Sequence, residues 1–181
     1  MGTFAIQYGK VKPQIFAQKL MDTSTVQLVD VGAQQETLDG RKFVYCKSGA
    51  ALPAGEILFA RLPLTTHTNM VVAANVALTG TTVSFISGAA SAAAADYAGG
   101  WLHVNDATGE GHAYKIDTNP AWASSATDAS VTLLDEIRVA LTTLSEVTLT
   151  PLRELGVIAQ LSSVADAAHT SCPIGVANTT I

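Results

Sequence analysis

Charge is scarce in this 181-residue sequence: charged residues make up 14% of it, against about 25% in an ordinary soluble domain. Aromatic residues are equally thin at 6%, while 48% of the chain is apolar. A chain of this kind has little charge with which to cover its surface. Monomers seldom expose large contiguous apolar patches, so part of that surface is expected to face other copies, as a homo-oligomer. Positive charge is the scarcer sign, with 10 Lys and Arg against 15 Asp and Glu and a net charge of -5. Lys10 with Lys12 and Arg41 with Lys42 are the only basic clusters. Nucleic acid is therefore excluded as an expected partner, because displacing counterions from phosphates needs clustered cations. No apolar run approaches the roughly 18 residues of a membrane span, so a membrane partner is not expected either. The opening MGTFAIQYGKVKPQ lacks a continuous apolar stretch, and use without Sec export is expected. The two cysteines, Cys46 and Cys172, match neither a disulfide framework nor a metal-ligand spacing and read as reduced, packed thiols.

Three regions stand out along the chain. Residues 1–24 intersperse Phe4, Tyr8, Phe16 and Leu20 with Gln and Lys, and Pro13 interrupts any helix. Spaced aromatics are an odd choice for a segment that meets only water, so this reads as an extended N-terminal docking arm, with Phe4, Tyr8 and Phe16 as its partner-binding anchors. Residues 25–161 read as a β domain. Runs rich in Val, Ile, Thr and aromatics recur at intervals of roughly 8–12 residues between turn signals, the all-β signature. Strands are expected over Val26–Val31, Arg41–Lys47, Glu56–Leu62, Met70–Leu78, Thr81–Ile86, Trp101–Val104, His112–Ile116, Ser130–Leu134, Glu146–Leu149 and Gly156–Leu161. Glu56–Leu62 is apolar on both faces and should lie in the middle of a sheet. Helix is expected only in short pieces, in the Ala-rich stretch Ala89–Ala95 and near Leu133–Leu141, where a helical turn and a continued strand are both open readings. Residues 162–181 are small and polar and read as a C-terminal tail. The expectation is an antiparallel barrel or sandwich of short strands, with an extended arm and one or two short helices.

Few residues suggest chemistry. The densest group is His103, Asp106, Glu110 and His112 on one expected hairpin. Histidine and carboxylates are metal ligands, but the spacing matches neither a helical zinc pair nor a calcium loop, and these four are weak candidates. A solvated turn accounts for them better, so no cofactor is expected. There is no GxSxG elbow. The paired glycines at 99–100 and 109–111 sit between strands, where a phosphate loop would precede a helix. His67 is expected on an exposed loop. Trp101 and Trp122 read as core or subunit contacts in preference to a sugar platform. The residues therefore point to a non-enzymatic protein.

Three runs carry a resemblance. Leu38–Leu52, with the Gly-Glu-Ile-Leu strand start that follows it, Asp96–Ile116 and Arg138–Leu149 are similar to a family of structural proteins of tailed bacteriophages, of the head decoration or minor capsid kind. The resemblance implies a virion protein, made in the host cytoplasm and bound to the exterior of the head, with the major capsid protein as its partner. Decoration proteins of this kind sit at local three-fold positions, so it also implies a trimer. A major shell or tail-tube subunit, or a glycan-binding surface module using Trp101 and Trp122, is the alternative.

Overall fold

Strict alternation of side chains sets the architecture. In Trp101–Asp106 the residues Leu102 and Val104 are buried while their neighbours are not, and in Ala113–Thr118 the same holds for Tyr114 and Ile116. Successive side chains on a strand point to opposite faces, so each run has one dry face and one wet one. The computed structural model describes residues 22–37, 39–61, 63–159 and 173–176, and within them the chain is all-β, as the sequence implies. The anchors expected at Phe4, Tyr8 and Phe16, with residues 1–21 of the arm, lie outside the described residues.

The strands, in chain order, are β1 (Gln34–Glu36), β2 (Lys42–Val44), β3 (Lys47–Ser48), β4 (Ile57–Phe59), β5 (Met70–Val71), β6 (Thr82–Phe85), β7 (Trp101–Asp106), β8 (Ala113–Thr118), β9 (Ala129–Leu133), β10 (Glu146–Thr150), β11 (Leu155–Ala159) and β12 (Pro173–Val176). Six of them form one antiparallel sheet in the order β5-β10-β7-β8-β9-β6. Its two ends meet: Val72 bridges Phe85, the Ala73 amide donates to the Ser84 carbonyl and the Ile86 amide to the Val71 carbonyl, both at 2.9 Å. The sheet is thereby a nearly closed barrel, which leaves no long edge for uncontrolled pairing.

The inward residues of the six strands fill the barrel with a single apolar core: Met70, Val83, Phe85, Leu102, Val104, Tyr114, Ile116, Val131, Leu133, Val147 and Leu149. Strand direction then gives the barrel two distinct ends. At one, which we call the base, the loops 73–81, 107–112 and 134–145 gather, and Val76, Ile137 and Leu141 plug the opening. At the other, the cap, the segments 61–69, 86–100 and 119–128 gather around Tyr97 and Trp122.

Beside the cap lies a smaller sheet in the order β12-β4-β11-β3, over a core of Leu52, Leu58, Val157 and Ala159 with Cys46 packed against it. Here β4 is an interior strand, as its two apolar faces imply. Four residues of the segment that reads as a tail form β12, paired with β4. A separate hairpin joins β1 to β2 through a turn containing Asp39 and Gly40, the latter at φ +82°.

Three expectations are corrected. Neither short helix forms. In the Ala-rich stretch Ala92 exchanges both backbone hydrogen bonds with Trp122, the Ala95 amide donates to the Asn119 carbonyl, and Ala95 itself is left-handed at φ +60°. So short a stretch cannot offset helix nucleation, and the tertiary partners take its amides instead. Between Leu133 and Leu141 the amides of Leu134, Ile137 and Leu141 donate to Lys115, Gly80 and Val76 for the same reason. A single 3₁₀ turn, Thr65–His67, is the only helical piece among the described residues. The strand expected over Val26–Val31 is also missing: Val26 and Leu28 are exposed, and pairing begins only where Gly32 donates to the Tyr45 carbonyl.

Candidate functional site

Each group of chemistry-bearing residues occupies a definite place on the barrel. His103, Asp106, Glu110 and His112 lie on β7, on β8's approach and in the loop between them. His103 sits at half-exposed register between Ala113 and Thr148. The Asp106 carboxylate turns back to accept from the Ala107 amide at 2.7 Å, and Ala107 is left-handed at φ +59°. His112 holds its Nδ1 3.1 Å from the Gly109 carbonyl and stacks on Tyr114. Asp106 and His112 are thus engaged in shaping their own hairpin. Among the described residues no three His, Cys, Asp or Glu side chains come together to hold a metal ion.

The cap is the most elaborate polar arrangement. His67, expected on an exposed loop, is fully buried. The 3₁₀ turn points it inward, where it packs against Tyr97 and Trp122 with ring centroids 5.6 and 5.7 Å away. Its Nε2 lies 3.0 Å from the Ala90 carbonyl and its Nδ1 contacts the Tyr97 hydroxyl. A carbonyl only accepts, so Nε2 carries the proton and Nδ1 accepts from Tyr97. Tyr97 stacks nearly parallel on Trp122, 5.9 Å between centroids, and its amide donates to the Asn119 side-chain oxygen at 2.8 Å. Asn119 is itself buried and uses its amide nitrogen on the Ala93 and Pro120 carbonyls. Burial pushes the Tyr97 hydroxyl up to about 12, with a smaller opposing pull from the Arg61 guanidinium.

Arg61 connects this cap to the small sheet. It follows β4 and forms a two-pronged ion pair with Asp96, at 2.6 and 3.0 Å, with its guanidinium 5.9 Å from the centre of the Tyr97 ring. The hydrogen bond to Asp96 is the main reason its own pKa rises. Paired, planar donors of this kind fix orientation as well as adding energy. With His67 and Tyr97 sealed from solvent and the Arg61–Asp96 pair partly exposed at the edge, this set links the barrel to the small sheet. Sequence reasoning misses it because its members are spread from Arg61 to Trp122, with no local spacing to mark them.

The two tryptophans part company. Trp122 is buried in the cap stack, whereas Trp101 stands on the outer wall, 43% exposed, with the Lys115 ammonium 4.9 Å from its ring centre. They form no shared platform. The Cys46 thiol is free and half-buried, and burial, with the nearby Glu154 carboxylate, pushes its pKa up, away from a reactive thiolate.

The base of the barrel is of a different character. Leu78, Leu134 and Leu144 are 57%, 59% and 77% exposed there. The first two line a shallow groove with Asp135, Glu136 and Arg138. This end displays apolar side chains and carboxylates together. Compared with known proteins, the chain matches no family model, no curated protein and no solved structure.

Proposed function

We propose that this chain is a non-enzymatic virion protein that decorates and stabilises the outside of a tailed-phage head, as a homo-oligomer, with a trimer favoured. The observation that carries the reading is the exposure of Leu78, Leu134 and Leu144 on a nearly closed barrel whose inward and cap residues are buried in one apolar cluster. A closed barrel presents no long edge strand, so its contacts must come from side chains on its surface or from segments outside it. The resemblance of Leu38–Leu52, Asp96–Ile116 and Arg138–Leu149 to phage structural proteins supports the same reading. Multivalent engagement of a lattice makes weak contacts sufficient, because each contact raises the effective concentration of the next. The major capsid protein is the partner this reading requires.

Purified protein added to undecorated heads, viewed by electron microscopy, tests it. Density at regular surface positions is the expected outcome, and heads left bare at saturating protein would overturn it. Deleting residues 1–20 should leave the barrel folded and reduce occupancy.

A second reading, glycan binding, is favoured by one observation: Trp101 is half-exposed beside Lys115 on the outer wall. Glycan arrays with the wild type and a Trp101→Ala variant decide it. Binding lost on that substitution would put this reading ahead.

A further inference from the structure

Charge is distributed unevenly between the barrel and the segment at the start of the chain. Residues 63–150, which build the barrel, carry only Lys115 and Arg138 against eight carboxylates. Residues 1–21 carry Lys10, Lys12 and Lys19 and no carboxylate, with Phe4, Tyr8, Phe16 and Leu20 between them. On the barrel the carboxylates are not spread evenly. Asp106, Glu110, Asp135, Glu136 and Glu146 all belong to the base, by the direction of β7, β9 and β10 and the loops that join them. Asp135 and Glu136 are exposed and have no ion-pair partner among the described residues. They share their groove with the exposed Leu78 and Leu134 and with Arg138, which offsets one of the two negative charges, and Leu144 stands at the same end. The surface therefore combines apolar side chains with unpaired negative charge, and the same sequence holds a segment with the complementary combination.

We infer that the base of the barrel is the receptor for residues 1–21 of a second copy of this chain. The lysines meet Asp135 and Glu136, and the aromatic and leucine side chains cover Leu78 and Leu134. Residue 22 leads into the β1–β2 hairpin, which is joined through Tyr45 and β3 to the small sheet beside the cap, while the receptor lies at the barrel's opposite end. Exposed leucines on a chain with so little charge favour a second copy over the chain's own arm. A contact between unlike surfaces runs head to tail, and such contacts close into a ring when the rotation between copies permits, three copies being one such closure. A 21-residue segment spans up to about 70 Å when extended, ample to reach a neighbour's far end. This contact rests on the self-association half of the proposed function and deepens it. It does not depend on what surface the assembly then decorates: a chain that stays monomeric in solution yet coats heads would sink this contact and leave the decoration reading standing.

A charge swap in the full-length chain tests it. One variant, Lys10→Glu with Lys12→Glu and Lys19→Glu, reverses the arm; another, Asp135→Lys with Glu136→Lys, reverses the receptor. Both substituted barrel positions are exposed, and a circular dichroism melt confirms that each variant folds. In sedimentation equilibrium the wild type should associate, and each variant alone should associate at least about tenfold more weakly, because like charges then face each other. An equimolar mixture should regain association, since reversed arms then find reversed receptors on the other chain; in a ring of three this restores two contacts of the three, so recovery stops short of the wild type. Salt should weaken the wild-type contact. A monomeric wild type, variants that associate unchanged, or a mixture that stays dissociated would each overturn the inference.

Discussion

His67 and Tyr97 form a hydrogen-bonded pair inside the barrel cap, with the imidazole accepting from the phenol through Nδ1 and donating to the Ala90 carbonyl through Nε2. Both residues are fully buried. A polar pair in such a place is stable only while complete, because a lone buried donor or acceptor forfeits its solvation with nothing in return. The pair also ties the 3₁₀ turn of Thr65–His67 to the segment 90–97, which local structure alone would not hold.

The first prediction follows directly. His67→Ala removes a buried ring and strands the Tyr97 hydroxyl, and should destabilise the chain by about 2–4 kcal/mol. Urea denaturation reads this as a lower midpoint at unchanged slope. A variant with the wild-type midpoint would show that the cap contributes little.

The second concerns alkali. The folded-state pKa of Tyr97 is pushed up to about 12 from an ordinary 10. Between those values the folded chain keeps a proton that the unfolded chain has released, so stability from this group is complete below pH 10 and declines as pH rises towards 12. Thermal melts from pH 9 to 12 should show a fall that is shallower in Tyr97→Phe. That variant starts lower, since Nδ1 of His67 loses its donor. Parallel curves for the two proteins would rule the assignment out.

Glycine supplies the third. A Cβ at Gly88 would lie 1.8 Å from the Thr66 carbonyl oxygen, a backbone atom that cannot swing away, whereas Gly40 has nothing within 4 Å and is constrained only by φ +82°. Gly88→Ala should therefore cost several times more than Gly40→Ala, for which left-handed strain of about 1–2 kcal/mol is expected. Comparable melting temperatures for the two would contradict the close approach at Gly88.

Chelation gives the fourth. With the Asp106 carboxylate on the Ala107 amide and His112 on the Gly109 carbonyl, EDTA should leave the melting temperature unchanged. A resident ion would stabilise the folded state by mass action, so a fall of several degrees would show that His103, Asp106, Glu110 and His112 do bind one.

Much of the barrel is legible in the residues alone. The hairpin of β7 and β8 is read from the runs Trp101–Val104 and His112–Ile116 on either side of a polar, glycine-bearing loop. The interior position of β4 is read from its two apolar faces. The cap is not legible in this way, because burial of His67 depends on Tyr97 and Ala90, distant in sequence, and a lone histidine among threonines looks like a surface residue. The Ala-rich stretch misleads for a related reason: helix propensity is a weak local preference, and the Trp122 and Asn119 backbones compete for the same amides.

The sequence by itself determined that the chain is β-rich, that Glu56–Leu62 is apolar on both faces, and that positive charge is concentrated before the barrel and nearly absent within it. These are properties of period and composition, carried by near neighbours. Only the tertiary structure decided that the sheet closes through Val72 and Phe85, that Arg61 and Asp96 link it to the small sheet, and that Leu78, Leu134, Asp135 and Glu136 come to lie at one end. Closure pairs strands separated by many residues, and its hydrogen bonds exist only once the whole ring has formed, so no local pattern can encode it.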